Sequence, residues 1–89
     1  MVCEGVRQVD TRIAVVGIVV SNREEEAFKV NEVLSRYGHL IVGRMGLPYK
    51  DRGVSIISLI VDGTNDEIGA MTGKLGNIKG VKVKSVVTY

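Results

Sequence analysis

The chain has 89 residues, of which 45% are hydrophobic and 25% are charged, with one Cys and one Pro. A chain this short buries only about 60 to 65% of its unfolded surface, which is enough for one compact domain and excludes two. The net charge of +2, from 12 basic and 10 acidic residues, is too balanced to attract a polyanion by bulk charge. A single Cys also excludes an intramolecular disulfide framework and a Cys-rich metal site.

Residues 1–11 show no sustained hydrophobic period, and we expect them to form a loose tail in front of one domain of residues 12–89. The segment RIAVVGIVV that follows is short and β-branched, which predicts a buried first strand with Gly17 inside it. Its apolar run from Ile13 to Val20 is far shorter than the roughly 20 residues of a membrane-spanning helix, and no cationic leader precedes it. We therefore expect a cytoplasmic protein without a membrane partner.

The segment SNREEEAFKVNEVLSRYG is predicted to form the first helix. Its start is signalled by the capping-box spacing of Ser21 with Glu24, or of Asn22 with Glu25, and its end by Gly38. Three consecutive Glu residues lie at the start, where the helix dipole favours negative charge. The apolar positions recur at helical spacing, namely Ala27, Val30, Val33, Leu34 and Tyr37.

Two further strands are predicted in HLIVGRMGLPY and GVSIISLIVDG, joined by a polar hairpin connection through KDR and Gly53. Pro48 cannot donate a ladder hydrogen bond, so we expect the end of the second strand at a sheet edge. A second helix is predicted in TNDEIGAMTGKLGNIKG, where Thr64 and Glu67 have capping-box spacing. Its apolar face comprises Ile68, Met71 or Thr72, Leu75 and Ile78. Gly69, Gly73 and Gly76 each destabilise this helix by roughly 1 kcal/mol relative to Ala. We therefore expect either that they allow close packing against a neighbouring element or that the helix is simply weak.

The last segment, VKVKSVVTY, alternates in the manner of an edge strand with lysines on its outer face. The element order is therefore βαββαβ. Right-handed crossovers then give an α+β ferredoxin-like sandwich, with sheet order 4-1-3-2 and both helices on one face.

Neither face of the two central predicted strands is polar, so a monomer would expose an apolar patch larger than single chains normally tolerate. We expect a second copy to cover it, giving a homo-oligomer, either a dimer or a tetramer, through the sheet face. The alternatives are that the tail or a different protein lies across this face.

The sequence carries no recognisable catalytic apparatus. His39 is the only histidine, so a closed metal site within one chain is not expected, and no Ser/His/Asp set or phosphate-binding loop is present. RNA recognition on a sheet needs aromatic residues for base stacking, and this chain has too few of them. DNA recognition by a helix is also excluded, because both helices pack on the sheet. We therefore expect no direct contact with nucleic acid. The segment after the first strand lacks the glycines of an acylphosphatase cradle and the CxxC of a metallochaperone. We predict a protein that is not an enzyme and has no cofactor.

Residues 12–89 resemble the iron-only hydrogenase system regulators, whose fold is ACT-like, most specifically in DGTNDEIGAMTGKLGNI. That family is similar in fold to amino-acid-sensing ACT domains and to the C-terminal domain of the nickel-responsive repressor. The repressor's nickel site relies on several His and a Cys, whereas this chain offers only His39, so nickel binding does not carry over. The resemblance implies a regulatory role, and it places a ligand near the loop after the first strand, against the first helix and a neighbouring subunit.

The candidate ligand-binding residues form two groups. Ser21, Asn22 and Arg23 open the first helix, where free backbone N–H groups suit a carboxylate or phosphate; simple helix capping is the alternative. Arg44, Tyr49 and Arg52 belong to the second strand and its hairpin, where they could contact a ligand or another subunit, or could serve edge-strand solubility. Two hypotheses follow: a regulatory module that senses a small molecule at a subunit interface, and a constitutive protein–protein interaction module without a ligand.

Overall fold

The computed structural model describes residues 10–21 and 24–89, and the predicted tail lies almost entirely outside this range. The chain forms strand β1 (Arg12–Ser21), helix α1 (Glu24–Arg36), strands β2 (Ile41–Tyr49) and β3 (Val54–Gly63), helix α2 (Asn65–Gly76) and strand β4 (Val81–Val87). Short 3₁₀ turns at Gly38–Leu40 and Lys50–Arg52 precede β2 and β3. None of the helices in this part of the chain is long and apolar enough to cross a membrane.

The four strands form one antiparallel sheet in the order β2-β3-β1-β4. This is the predicted order 4-1-3-2 viewed from the opposite edge, so the ferredoxin-like prediction is confirmed. Strand β2 lies at an edge, where the missing N–H of Pro48 does no harm. A register shift between Ile41 and Gly43 interrupts its pairing with β3.

Both helices pack on one side of the sheet, and alternation along the strands decides which residues they cover. On β1 the covered residues are Ala14, Val16, Ile18 and Val20, each no more than 2% exposed. From the other side of the core come Val30 and Leu34 of α1 and Ile68, Met71 and Leu75 of α2. The core is thus a single layer between the helices and one face of the sheet.

Helix α2 begins with the predicted capping box. The Glu67 backbone N–H donates to Thr64 Oγ1 over 3.1 Å, and the Thr64 backbone N–H donates to Glu67 Oε1 over 2.9 Å. Both bonds satisfy N–H groups that a helix start otherwise leaves unpaired. The bond from the Thr64 backbone N–H to the carboxylate is the main reason that the pKa of Glu67 lies below its ordinary value of 4.5, and the Thr64 side chain lowers it further.

Several local predictions need correction. The glycines of α2 do not serve close packing against another element, because a Cβ placed on Gly69, Gly73 or Gly76 would meet no atom of another strand or helix within 4 Å. Ser21 ends β1, with its backbone N–H donating to the Gly80 carbonyl; α1 is described from Glu24 onwards, and the alternative cap, Asn22, lies outside the described residues. Residues 38–40 form a 3₁₀ turn, and the second strand therefore begins at Ile41.

Candidate functional site

The side of the sheet opposite the helices carries exposed apolar side chains, and we call it the open face. It includes Val15 and Val19 of β1, Ile56 and Ile60 of β3, and Met45 and Leu47 of β2. Their exposure ranges from 37% for Val19 and Ile56 to 70% for Met45. In the sheet register Ile60 lies opposite Val15, and Ile56 lies between Val19 and Leu47. The apolar surface is therefore continuous across three strands.

Polar and small residues border and interrupt the open face. Lys82 and Lys84 of β4 lie on the same side as Val19 and Gly17, their partners in β1. Gly17 and Ser58 pair at the middle of the apolar surface. A Cβ on Gly17 would meet nothing within 4 Å. The centre of the open face is thus a shallow depression. On the β4 side the two lysines make part of the face polar, whereas Val86, opposite Val15, extends the apolar surface at the other end.

At one end of the open face lie two adjoining hollows, which we call the end hollows. One, of about 330 Å³, is lined by Ser21, Gly80 and Lys82, and the other, of about 260 Å³, by Tyr49 and Arg52. Val19 and Val54 line both. Two cations and two hydroxyl groups therefore surround an apolar floor, a combination suited to a small anionic ligand with an apolar part.

The structure does not bring the six predicted site residues together in one place. Ser21, Tyr49 and Arg52 line the end hollows. Arg44 lies on the opposite side of the sheet, where its Nη2 donates to Asn31 Oδ1 of α1 over 2.9 Å. It shares no hollow with Tyr49 and Arg52, because residues 44 and 49 of an alternating strand point to opposite faces. Asn22 and Arg23 lie outside the described residues.

Glu26 introduces a carboxyl group close to the predicted anion site at the start of α1. It is 8% exposed, and its Cγ would lie 3.3 Å from a Cβ on Gly80, next to the Ser21 hydroxyl. No donor within the described residues bonds its Oε1. The Glu26 side chain therefore lies near both the start of α1 and the part of the end hollows that is lined by Ser21 and Gly80.

His39 lies in the turn before β2, as expected of a strand-entry residue. It is largely exposed, with Nε2 3.8 Å from Glu67 Oε2. Over residues 10–21 and 24–89, no three His, Cys, Asp or Glu side chains are grouped so that they could hold a metal ion.

Sequence reasoning missed Lys82 and Val54 in the end hollows and Asn31 beside Arg44. Lys82 and Val54 reach the hollows through the pairing of Val19 with Lys82 and of Ser21 with Val54, a register that the hydrophobic pattern left open. Asn31 gave no signal, because a polar residue on a helix is ordinarily solvated. Contacts between elements distant in sequence thus define both places.

The chain can be compared with known proteins once this geometry is clear. Residues 12–85 match the TM1266-like family, whose members are provisionally assigned as iron-only hydrogenase system regulators. The uncharacterized protein TM1266 from Thermotoga maritima is 40% identical, and the match covers 90% of this chain and 100% of that one, with a TM-score of 0.88. No curated protein matches the chain.

More distant structures share the fold alone. The ACT domain of GTP pyrophosphokinase from Chlorobium tepidum is 22% identical, with a TM-score of 0.72, over 86% of this chain and 100% of that domain. The C-terminal domain of the MgtC protein from Mycobacterium tuberculosis is 12% identical, with a TM-score of 0.67, over 93% of this chain and 94% of that domain. These likenesses support the ferredoxin-like fold.

Proposed function

The chain belongs to the TM1266-like iron-only hydrogenase system regulator family, and we propose that it is a regulatory module that works as a homo-oligomer through its open face. The observation that carries this proposal is the continuous apolar surface of Val15, Val19, Ile56 and Ile60, with side chains 37 to 45% exposed. Exposed apolar patches of this kind mark interaction sites in soluble domains. The matching family supports the regulatory role.

A second copy is the occupant that the open face fits best. A two-fold interface requires a self-complementary surface, and this face offers both a protruding side chain, Met45, and a central depression at Gly17. It also carries Asp62 towards one end and Arg52 at the other. Two sheets packed with their strands reversed would bring these opposite charges together.

The edges of the sheet are less suitable for association. In β2, the register shift at Ile41/Gly43 and the missing N–H of Pro48 disturb the outer hydrogen-bonding row. In β4, Lys82 and Lys84 give the edge strand a positive charge. These features disfavour edge-to-edge pairing and leave the face as the site of contact.

The oligomer is tested by a charged substitution on each side of the sheet. Ile60→Asp places a charge at the centre of the proposed interface, and Phe28→Asp places one on an exposed position of α1, where Phe28 is 68% exposed. We expect Ile60→Asp to give folded monomers and Phe28→Asp to keep the wild-type mass, measured by light scattering with circular dichroism as the folding control. An unchanged mass for Ile60→Asp would overturn the proposal.

We further propose that the module senses a small anionic molecule in the end hollows, which a partner on the open face would enclose. Arg52, Lys82 and Tyr49 supply the recognition. The supporting observation is the presence of cations and hydroxyl groups around an apolar floor. This differs from a constitutive interaction module, which needs no ligand and gives no reason for polar groups to converge there.

A thermal-melt panel of amino acids, nucleotides and inorganic phosphate separates these two functions. A ligand at 100 times its Kd stabilises the protein by about 2.7 kcal/mol, a shift of several degrees for a domain of this size. Lys82→Gln, which removes a cation of the end hollows that takes no part in the Asp62–Arg52 charge pairing, should abolish the shift while the oligomer mass stays unchanged. A flat panel for the wild type would favour the constitutive module.

A further inference from the structure

A groove lies on the helix-covered side of the sheet, between α1 and the edge strand β2, away from the open face. We call it the α1–β2 groove. Its volume is about 240 Å³, and apolar side chains form most of its wall, including Val30, Pro48 and Ile57. It exists because the facing positions are small: Ala27 on α1, Gly46 on β2 and Ser55 on β3. A Cβ added to Gly46 would have no other residue within 4 Å.

Arg44 lies at this groove, held by one hydrogen bond. Its Nη2 donates to Asn31 Oδ1 across the space between strand and helix over 2.9 Å. Within the described residues, no carboxylate comes within 4.0 Å of its guanidinium group. An arginine has five N–H donors in a fixed plane, a geometry that matches a carboxylate. Asn31 therefore orients a guanidinium group whose other donors can serve a ligand.

We propose that the α1–β2 groove binds a small aliphatic carboxylate, with the carboxylate on Arg44 and the hydrocarbon part against Val30, Pro48 and Ile57. An apolar groove with one oriented cation is complementary to this class in both charge and shape. The described lining contains no acidic residue, so the ammonium group of an amino acid has no partner there. The site thus selects a simple acid over a zwitterion of the same shape.

The proposal is independent of the homo-oligomer, since Arg44 and the apolar side chains that would hold the ligand lie on the opposite side of the sheet from the open face. Only Leu47 and Ile56 border both places. A ligand of this size has few atoms to contact the protein, so we expect a Kd on the order of a millimolar. Nuclear magnetic resonance measures such affinities directly in ¹⁵N-labelled full-length protein. Isovalerate serves as the probe, and 3-methylbutan-1-ol is the uncharged control of the same shape.

Isovalerate should cause saturable amide shifts confined to the groove, around residues 27–31, 44–48 and 55–57. The alcohol should not, and L-leucine should bind more weakly than isovalerate because of its ammonium group. Shifts that are scattered or fail to saturate would overturn the site. Tighter binding of leucine would overturn the ligand class.

Two variants assign the binding to the groove. Arg44→Gln should weaken isovalerate binding about tenfold or more, because it removes a charge-assisted contact. Gly46→Val should abolish binding by filling the groove, whereas Gly69→Ala, at an exposed glycine of α2, should bind as the wild type does. Binding that survives Arg44→Gln would contradict the proposal even if Gly46→Val failed to fold. Ile60→Asp should keep isovalerate binding whatever it does to the oligomer.

Discussion

The two sides of the sheet contain similar residues in different surroundings. On β1, Ala14, Val16, Ile18 and Val20 point towards the helices and are at most 2% exposed, whereas Val15 and Val19 point away and are 41% and 37% exposed. On β3, buried Leu59 is followed by Ile60, which is 45% exposed. Strands with one solvated face usually alternate apolar with polar residues. These central strands place branched apolar residues on both sides.

This difference separates two uses of the same residue types. The helix-covered side needs its apolar residues for the stability of the single chain, because their burial drives folding. The open face contributes less to that stability, since its side chains keep much of their contact with water. Its apolar character is explained by association, as proposed above.

The sharpest test of this contrast is a pair of truncations at adjacent residues. Leu59→Ala leaves a cavity in the core and should lower the free energy of unfolding by about 2 to 5 kcal/mol. Ile60→Ala removes half-exposed surface and should cost the dilute monomer only about 1 kcal/mol. Urea denaturation at several protein concentrations measures both.

The same two variants should also differ in how their stability depends on protein concentration. The decrease in the free energy of unfolding caused by Leu59→Ala should be the same at every protein concentration. The decrease caused by Ile60→Ala should grow as the protein is concentrated and the open face becomes buried. Equal losses for the two variants in dilute solution would mean that the two sides do not differ as described.

A smaller effect on stability is expected when alanine replaces either of two turn glycines, Gly80 in a crowded position and Gly53 in an open one. Gly80 has φ +82°, and a Cβ there would lie 2.8 Å from Ser21 Oγ, whereas Gly53 has φ +67° with nothing within 4 Å. Alanine in this left-handed region costs about 1 kcal/mol at either position. Gly80→Ala should therefore destabilise the protein more than Gly53→Ala, as thermal unfolding would show. The reverse order would contradict the packing of Gly80 against β1.

The smallest effect concerns the start of α2, one of the two helices that cover the sheet. Hydrogen bonds from Thr64 lower the pKa of Glu67, so ionised Glu67 stabilises the fold. This contribution is complete above the unfolded value near 4.5 and is lost as the pH falls through the lower folded value. The advantage of the wild type over Glu67→Gln should shrink over that range in urea denaturation. A difference that does not change with pH would argue against the capping contact.

Much of the fold could be predicted from the sequence because its signals are local. The alternation in β4, the helical spacing of Ile68 and Leu75 and the capping pair Thr64 and Glu67 each lie within one element. Handedness rules then supplied the sheet order. The open face was also expected, since β1 and β3 lack a polar side.

The choice of which face the helices cover could not be predicted, because both sides of the central strands are equally apolar. The same ambiguity affected the candidate site. Tyr49 and Arg52 were grouped with Arg44, yet Arg44 points towards α1 and bonds Asn31. Strand register and the contact between α1 and β2 decide these positions, and neither leaves a local pattern in the sequence.

The most direct test of the central claim is the mass of the wild-type protein in solution by sedimentation equilibrium over a dilution series. The chain mass is 9.6 kDa. A second copy on the open face predicts a mass of at least twice this value that falls on dilution or after Ile60→Asp. A mass of one chain at every concentration would contradict the claim that a second copy covers the open face.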